Sequence, residues 1–458
     1  MRGTRNEVAV DKITQELGNF IVSFSEKEMS PILWDATENY LVDTLGCAAA
    51  AHNCRTAQMG LALAPSNPRE MTGSILFHRQ TTSLEAAAFV NACMIRALDF
   101  NDRYPGGHPS DCLGAILALA FSQKVSGQKL LNAMAVTYEI FARLSDGAML
   151  SRRGWDQGFV VGLSTIGGLC RLLNMPIEQV GSAIGMFAST GVPLRVTRAG
   201  ELSEWKNVAT PYAVKNATYL TLLARQGMEG PGRPFEGRNG LFENITGAFE
   251  LAPFPTAGGI IMTPRVQMKF WPVETNAQPV VWAGLELRSQ VHNQDIDSIE
   301  AFTNKFTVYE IASEPQKWDP QSRETADHSL PYILARTIVD GPLTEEAFTL
   351  QAVRDPDLRP LMDKIRVSVD PRIDALPTGQ VEFRLVAANK RGERIEVSVG
   401  NPLGHPDRPM QRSEIAEKFQ RLSEPVFGEK RSKKALAQLL KIRDEIDVSI
   451  LMETMHVN

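Results

Sequence analysis

A polar segment, residues 97–110, interrupts two apolar stretches of the chain and carries side chains that could move protons. Its candidate groups are Asp99, Asp102, Arg103, Tyr104 and His108. The flanking stretches, 84–98 and 113–121, are rich in Ala, Leu and Phe and predict buried helices. Charges held between two core helices are tolerated only when they are paired or used. The segment is therefore either a structural network or a functional site.

We assign proton transfer to His108, because Gly107 and Pro109 stiffen its loop and the ring could face a cavity. The alternative is a ring that anchors the loop by hydrogen bonding to the backbone. Asp99 is expected to orient that ring or to bind substrate. Its alternative is a carboxylate at a helix C-terminus, paired with Arg103 or another cation. Asp102 is a further candidate for proton transfer.

The composition is that of an ordinary globular protein. The 458 residues are 43% hydrophobic and 22% charged, with a net charge of -5. The length predicts two domains, and the lack of a dense basic run predicts no nucleic-acid partner. No apolar run is long enough to span a membrane, and residues 1–18 lack a signal-peptide core, so a cytoplasmic location is expected. The five cysteines form no Cys-x-x-Cys pair and the seven histidines have no metal-site spacing, so no metal site is predicted.

The pattern of predicted secondary structure changes near residue 262. Before it, helix follows helix, at 35–51, 130–146, 160–173, 177–189 and 211–226. Beyond it, strands at 296–308 and 365–369 and a hairpin of 380–385 with 394–399, turning at 389–392, alternate with helices at 279–290 and 329–339. Helices return at 413–422 and 434–448. The pattern predicts a mainly α, two-domain fold: an all-helical domain over 1–264, which 411–458 are expected to rejoin, and an α+β domain over 265–410.

Five runs spread over the chain carry a family resemblance. They are DTLG (43–46), LDFND with HPS (98–102 and 108–110), KFWPVE (269–274), TADHSLPY (325–332) and PLGHP (402–406). In these runs and their order the chain resembles the MmgE/PrpD family of 2-methylcitrate dehydratases, cis-aconitate decarboxylases and related lyases and epimerases. The resemblance implies a large helical and a smaller α+β domain, a homodimer, no cofactor, and an active site in the cleft between the domains.

Further residues take expected roles from this resemblance. Lys206 resembles the lysine that reaches the substrate, although an ion pair with Glu204 or Glu201 is equally open. Tyr309 matches the family loosely as a catalytic residue. Three more residues are expected to bind substrate: Lys269, Arg265 and His328. The first two begin the second domain and could close over a polyanion. The third lies in a predicted helix N-terminus at 324–329, which can hold a carboxylate. The alternative is that Asp327 and Ser329 only cap the helix.

Departures from the family pattern favour dehydration over decarboxylation. Arg103 stands where the decarboxylases have threonine and is expected to bind a substrate carboxylate. Asp156 stands where they carry a histidine, which removes one proton carrier. Glu274 and Gln278 resemble the dehydratase version, although Asn276 replaces its usual histidine. The chain is thus expected to be a cofactor-independent hydro-lyase acting on a small polycarboxylate such as 2-methylcitrate. The alternatives are an epimerase or isomerase, a decarboxylase of a related acid, and a non-catalytic carboxylate-binding protein.

Overall fold

The computed structural model describes residues 10–66, 71–377 and 379–457. Residues 1–9, on which half of the N-terminal prediction rests, lie outside this range. The first half of the chain is built mainly of helices that pack around one apolar core. These helices are α1 (Lys12–Ser23), α2 (Pro31–Ala50), α3 (Arg55–Leu63), α4 (Leu84–Arg96), α5 (Leu113–Ser122), α6 (Gly127–Ala148), α7 (Gly158–Leu172), α8 (Ile177–Ala188) and α9 (Trp205–Arg225).

Helix α9 begins six residues before its predicted start, with Pro211 inside it. The prediction took Pro211 as an N-terminal residue, the usual place for proline in a helix. The extra first turn forms because the Lys206 amide bonds to the carbonyl of Ser203, at 3.0 Å. Lys206 therefore lies within the helix rather than before it.

The first domain is not wholly helical, which corrects the sequence prediction. Strands β1 (Thr72–Ser74) and β2 (Thr81–Ser83) form an antiparallel hairpin. The hairpin rests directly on α4, because a Cβ added at Gly73 would lie 2.7 Å from the Cβ of Ala87. Strands of three residues carry too little pattern to be seen in the sequence.

A second apolar core lies around a four-stranded sheet of order β4-β3-β5-β6. The strands are β3 (Ile296–Thr303), β4 (Ile365–Val369), β5 (Phe383–Asn389) and β6 (Arg394–Val399). β3 pairs parallel with β4 and antiparallel with β5, and β5 and β6 form the predicted hairpin, with Gly392 at φ +79° in its turn. The predicted strand over 296–308 ends at Thr303, where Asn304 caps a helix.

Helices of this second core include two long ones, α10 (Gln278–Gln290) and α14 (Leu330–Asp340), which pack on each other. The shorter ones are α11 (Lys305–Ile311), α12 (Pro315–Trp318), α13 (Arg323–Ala326), α15 (Leu350–Val353), α16 (Arg359–Met362) and α17 (Pro371–Asp374). Together with the sheet they make this half an α+β arrangement.

The chain ends in α18 (Arg412–Phe427), α19 (Glu429–Leu439) and α20 (Ile450–Met455). The predicted helix over 434–448 is wrong in its end, because α19 stops at Leu439 and a short turn follows. Phe419, Leu439 and Leu451 are buried in the first core. The domain boundaries at 264 and 410 stay predictions. None of the helices in the described part combines the length and hydrophobicity needed to cross a bilayer.

Candidate active site

Asp99 lies just after the last turn of α4, in a left-handed backbone conformation with φ +48°. Few residue types other than glycine adopt this conformation, and aspartate is among those that tolerate it. Its amide bonds to the carbonyl of Arg96 at 3.1 Å, so the chain turns back on the helix end. The carboxylate is thereby buried between the two halves of the molecule, with 1% of the residue exposed.

Three cations surround the Asp99 carboxylate. Oδ1 accepts from Arg96 Nη1 at 2.6 Å and from Lys269 Nζ at 2.7 Å, and Oδ2 accepts from Lys206 Nζ at 3.1 Å. Lys269 also donates to the Asp99 carbonyl at 2.7 Å. Burial would raise the pKa of Asp99, but the three cations together hold it well below its ordinary value. Asp99 is therefore ionised, and of the expected partners, Arg103 or another cation, it is other cations that pair with it.

Asp327 supplies a second buried carboxylate on the far side of Lys206. Its Oδ1 lies 3.4 Å from Lys206 Nζ and 2.5 Å from His328 Nδ1. Burial would raise the pKa of Asp327, but Lys206 and His328 lower it below its ordinary value. The predicted helix start at 324–329 is in fact the junction of two helices, where Ser329 caps α14 and Asp327 ends α13. The capping role predicted for Ser329 is confirmed, whereas Asp327 faces the lysine.

Two hydrogen bonds fix His108, one to its ring and one to its backbone amide. Its Nδ1 lies 2.6 Å from the carbonyl oxygen of Asp102, and its backbone amide donates to Gln157 Oε1 at 2.9 Å. Because a carbonyl only accepts, Nδ1 carries the proton of the neutral ring, and Nε2 is left with its lone pair. Nε2 lies 3.7 Å from Asp99 Oδ1. Burial, with Arg96 and Lys269 nearby, lowers the pKa of His108 well below its ordinary value.

His328 approaches the other oxygen of Asp99. Its Nε2 lies 3.6 Å from Asp99 Oδ2, while its Nδ1 faces Asp327. Burial and Lys206 lower the pKa of His328, so this ring is also neutral at pH 7. Two imidazoles thus lie beside one carboxylate, each with Nε2 toward it. We call the assembled side chains the Asp99 cluster: Arg96, Asp99, His108, Lys206, Lys269, Asp327 and His328.

The Asp99 cluster is nearly closed to solvent in this structure. Lys206 is fully buried and Lys269 is 1% exposed, whereas the side chains of His108 and His328 are 9% and 15% exposed. The imidazoles are the outermost members. A small anion would therefore meet them first and the lysines behind them.

Five of the residues proposed from the sequence meet in this cluster: Asp99, His108, Lys206, Lys269 and His328. The structure also settles what Lys206 pairs with, since Glu204 contacts Arg55 and Glu201 contacts Ser322 and Thr325. Four others bring no side chain into it by a hydrogen bond or ion pair among the described residues: Asp102, Arg103, Arg265 and Tyr309.

The physical reasons differ among these four. The Asp102 carboxylate is turned toward Ser110 and Tyr138, whose hydroxyls lie at 2.5 and 2.6 Å. Tyr309 is 68% exposed, because Thr307 and Ile311 take the buried face of α11. Tyr309 therefore contacts none of the other candidate catalytic groups among the described residues, and its catalytic role stays a prediction.

The two arginines lie at the chain segment that leads to Lys269. Arg103 is half-buried, and its backbone pairs with Gln267 through two hydrogen bonds of 2.7 Å. Arg265 is exposed, with its guanidinium 3.7 Å from Met262 Sδ. Neither guanidinium has an ion-pair partner in the part of the chain that the structure describes.

Sequence reasoning missed Arg96 and undervalued Asp327 and Gln157. Arg96 is the last residue of α4, where a cation is common for its effect on the helix dipole, but here it is buried and also lies 3.8 Å from Asp111. The one signal in the sequence was its position: a charged residue at the end of an apolar, and therefore buried, helix that leads into the polar segment. Gln157 gave no signal, because its role depends on a backbone amide 49 residues away.

Two positions compared with the family pattern have structural contacts in this chain. They are Asp156, which departs from the decarboxylase pattern, and Glu274, which matches the dehydratase pattern. Asp156 accepts from Arg198 Nε at 2.6 Å and from the Gly158 amide at 3.1 Å. Glu274 caps a short turn by accepting from the Asn276 amide. Neither side chain contacts the Asp99 cluster among the described residues, so the lost histidine at 156 is replaced by an anchoring ion pair.

One group of donor atoms in the described residues has metal-like spacing. Oxygens of Asp99 and Asp327 and a nitrogen of His328 lie within 4.8 Å of one another. Both carboxylates already accept hydrogen bonds from Lys206, and Asp99 accepts another from Lys269. A metal ion here would have to displace these cations or be repelled by them, so the donor set fits its lysines better than it fits a metal.

The sequence matches two family models in chain order. The MmgE/PrpD N-terminal domain model matches residues 15–253, and the C-terminal domain model matches residues 271–442. The chain belongs to the MmgE/PrpD family. Asp99 and Lys206 lie in the first match, Asp327 and His328 lie in the second, and Lys269 lies between the two matches. The Asp99 cluster therefore draws on both family domains.

Curated relatives from this family are similar over most of their length. A mitochondrial 2-methylcitrate dehydratase of Yarrowia lipolytica is 25% identical, covering 93% of this chain and 86% of the relative. A 2-methylcitrate dehydratase of Escherichia coli is 26% identical over 83% of each chain. A cis-aconitate decarboxylase-like protein of Aspergillus oryzae, oryM, is 24% identical over 96% of each. The MmgE/PrpD relatives therefore bear names of more than one reaction.

Proposed function

We propose that the protein is a cofactor-independent hydro-lyase that removes water from a small polycarboxylate, with 2-methylcitrate or a close analogue as substrate. The observation that carries the proposal is the Asp99 cluster, in which buried lysines and two neutral imidazoles meet around one ionised carboxylate. The relatives named 2-methylcitrate dehydratase support the same reaction class. A dehydratase-like enzyme is the function that this arrangement fits best.

The lysines would hold the substrate's carboxylates. Lys269 Nζ uses two donors on Asp99, and an ammonium group has three. The remaining donor of Lys269, with Lys206 behind the imidazoles, can bind a carboxylate by charge-assisted hydrogen bonds. Arg103 and Arg265, which lack ion-pair partners in the described part of the chain, would attract the polyanion at the outer edge.

His108 would remove the carbon-bound proton next to a substrate carboxylate. Its Nε2 lone pair is free, and its lowered pKa keeps the ring neutral at pH 7. The negative charge that develops on the substrate is stabilised by the lysines, and the imidazolium formed on His108 is stabilised by Asp99 Oδ1. The proton removed and the hydroxide that leaves make up the released water. Asp102 positions His108 through its carbonyl and does not transfer the proton itself.

Epimerisation is a second candidate, because two imidazoles flank Asp99. An enzyme that inverts a carbon centre needs one group to remove a proton and another to return it on the opposite face. His108 and His328 each direct Nε2 to a different oxygen of Asp99. The name of the relative oryM keeps decarboxylation as a third reaction to assay. Against it, Asp156 stands where the decarboxylases carry a histidine, and its carboxylate is paired with Arg198.

A panel of citrate, 2-methylcitrate and cis-aconitate, incubated with the protein in D2O and followed by NMR, tests the proposal. Dehydration predicts a new unsaturated acid with loss of one water. Deuterium incorporation without a change in composition would indicate epimerisation, and loss of CO2 decarboxylation. Unchanged acids throughout would contradict the proposed substrate class. The expected homodimer stays a prediction that sedimentation velocity can test in the same preparation.

A further inference from the structure

The run DTLG at 43–46 has no place in the proposed chemistry, yet two of its residues lie at a packed junction. Asp43 and Gly46 are on α2, and both are buried. A Cβ added at Gly46 would lie 3.2 Å from the backbone Cα of Phe419, closer than side chains normally pack. Gly46 therefore allows α18 to lie directly against α2.

This close approach brings Lys418, the neighbour of Phe419, into the interior. The Lys418 side chain is 1% exposed, and its Nζ donates to Asp43 Oδ1 at 2.6 Å. The Asp43 carboxylate is fully buried. An ion pair with so little solvent depends on its hydrogen bonds. Asp43 Oδ2 has no hydrogen-bond partner in the described part of the chain, so the carboxylate depends on Lys418.

The other two donors of Lys418 go to backbone carbonyls. They reach the oxygens of Phe100 at 2.9 Å and of Lys269 at 2.8 Å. The ammonium also lies 3.8 Å from the centroid of the Phe100 ring, a cation–π contact. All three N–H groups are thus used, and two of them hold main chain next to the Asp99 cluster.

These carbonyls lie on both sides of one ion pair. Phe100 directly follows Asp99, and Lys269 is one of the three cations on Asp99. We propose that Lys418, anchored by Asp43, is a positioning residue that fixes the backbone on both sides of the Asp99–Lys269 contact. Its effect on turnover rests on the proposed function. Its effect on the backbone does not.

The matched variants are Lys418→Met and the double variant Asp43→Asn with Lys418→Met. The single change leaves the Asp43 carboxylate buried without its cation, so a large loss in Tm is expected. The double change removes both charges, and we expect it to regain most of that loss. We expect kcat/KM of the double variant to stay at least about tenfold below the wild type, mainly through kcat, because misplacement by about 1 Å is enough for such a loss.

The control is a second buried pair that contacts other parts of the molecule. Glu139 and Arg143 on α6 are both fully buried and hold the 252–263 segment. Glu139→Gln with Arg143→Met is expected to lower Tm while leaving kcat/KM of the folded protein near the wild-type value. If the Asp43/Lys418 double variant regains both Tm and kcat/KM, Lys418 is structural only and the proposal is wrong.

Hydrogen exchange separates this inference from the proposed function. The Asp99 and Arg103 amides are bonded to the Arg96 and Gln267 carbonyls. In the Asp43/Lys418 double variant we expect both amides to exchange at least about tenfold faster than in the wild type and in the control variant, as local opening becomes easier. Unchanged exchange overturns the positioning role. Failure of the wild type to convert any polycarboxylate, with faster exchange in the double variant, contradicts only the proposed function.

Discussion

His108 Nδ1 lies 2.6 Å from the carbonyl oxygen of Asp102, so the loop's own backbone sets which nitrogen of the ring is basic. The bond fixes the proton on Nδ1 and leaves Nε2 facing Asp99. The two readings that the sequence left open for His108, a loop anchor and a proton-transfer group, are therefore compatible. One nitrogen anchors the loop, and the other is available for chemistry.

His108→Asn is expected to lower kcat by about 10²- to 10⁴-fold with little change in Tm, the usual range for loss of a general base. The asparagine amide can still donate to the Asp102 carbonyl, but it lacks a group at the Nε2 position. His52→Asn is the matched control, since His52 Nδ1 also bonds a backbone carbonyl, that of Ala49, at 3.0 Å. Steady-state kinetics and thermal melts measure both. Near-normal turnover by His108→Asn would remove His108 from the mechanism.

The pH profile of kcat/KM follows from the lowered pKa of His108. Burial, with Arg96 and Lys269, keeps the ring neutral below its ordinary pKa of 6.5. Activity should therefore be constant as the pH is lowered through 6.5 and should fall only at a more acidic pH, where the ring gains a proton. An acidic limb centred at or above 6.5 would show that the base is another group.

The polar loop and its helices could be predicted from sequence, because their signals are local. Asp99 and His108 are nine residues apart, between helices with clear apolar runs. The partners of Asp99 could not be found in this way, since Lys206 and Lys269 lie 107 and 170 residues from it along the chain. A family match proposed these lysines, but only tertiary packing shows that they share one carboxylate.

Tyr309 is a residue that the family match proposed but that the structure does not bring to Asp99. Family position alone suggested it, and a phenol at the end of a short helix has no local signal of burial or exposure. Asp327 illustrates a third case, in which capping was the more common explanation for an aspartate near a helix start. The cap is Ser329, and the direction of the Asp327 carboxylate depends on Lys206, from another domain.

Lys206→Met is expected to lower the free energy of unfolding by about 3 kcal/mol, the lower end for breaking a buried ion pair, because Arg96 and Lys269 remain on Asp99. It should also lower kcat/KM. Lys215→Met is the control on the same helix: Lys215 is half-buried and has no hydrogen bond or ion pair within the described residues. Its change should stay within about 0.5 kcal/mol. Urea unfolding gives both values, and equal losses would contradict the special role of Lys206.

Asp102→Asn should change the pH dependence of stability. Burial raises the pKa of Asp102 from 3.8 to about 7, against hydrogen bonds from Ser110 and Tyr138. The neutral carboxyl thus contributes stability that is fully present below pH 3.8 and is lost as the pH rises through about 7. Asparagine does not titrate, so the variant should gain stability relative to the wild type as the pH rises from about 3.8 to about 7. A difference in unfolding free energy that does not vary with pH would show that Asp102 is ionised throughout.

A crystal structure with tricarballylate, a tricarboxylate that carries no hydroxyl to eliminate, is the sharpest test of whether the Asp99 cluster binds and acts on the substrate. We expect ligand carboxylates within hydrogen-bond distance of Lys206 or Lys269, and a ligand carbon about 3 to 3.5 Å from His108 Nε2, the range for reacting atoms. A ligand bound elsewhere on the protein, with the Asp99 cluster closed and untouched, would contradict it.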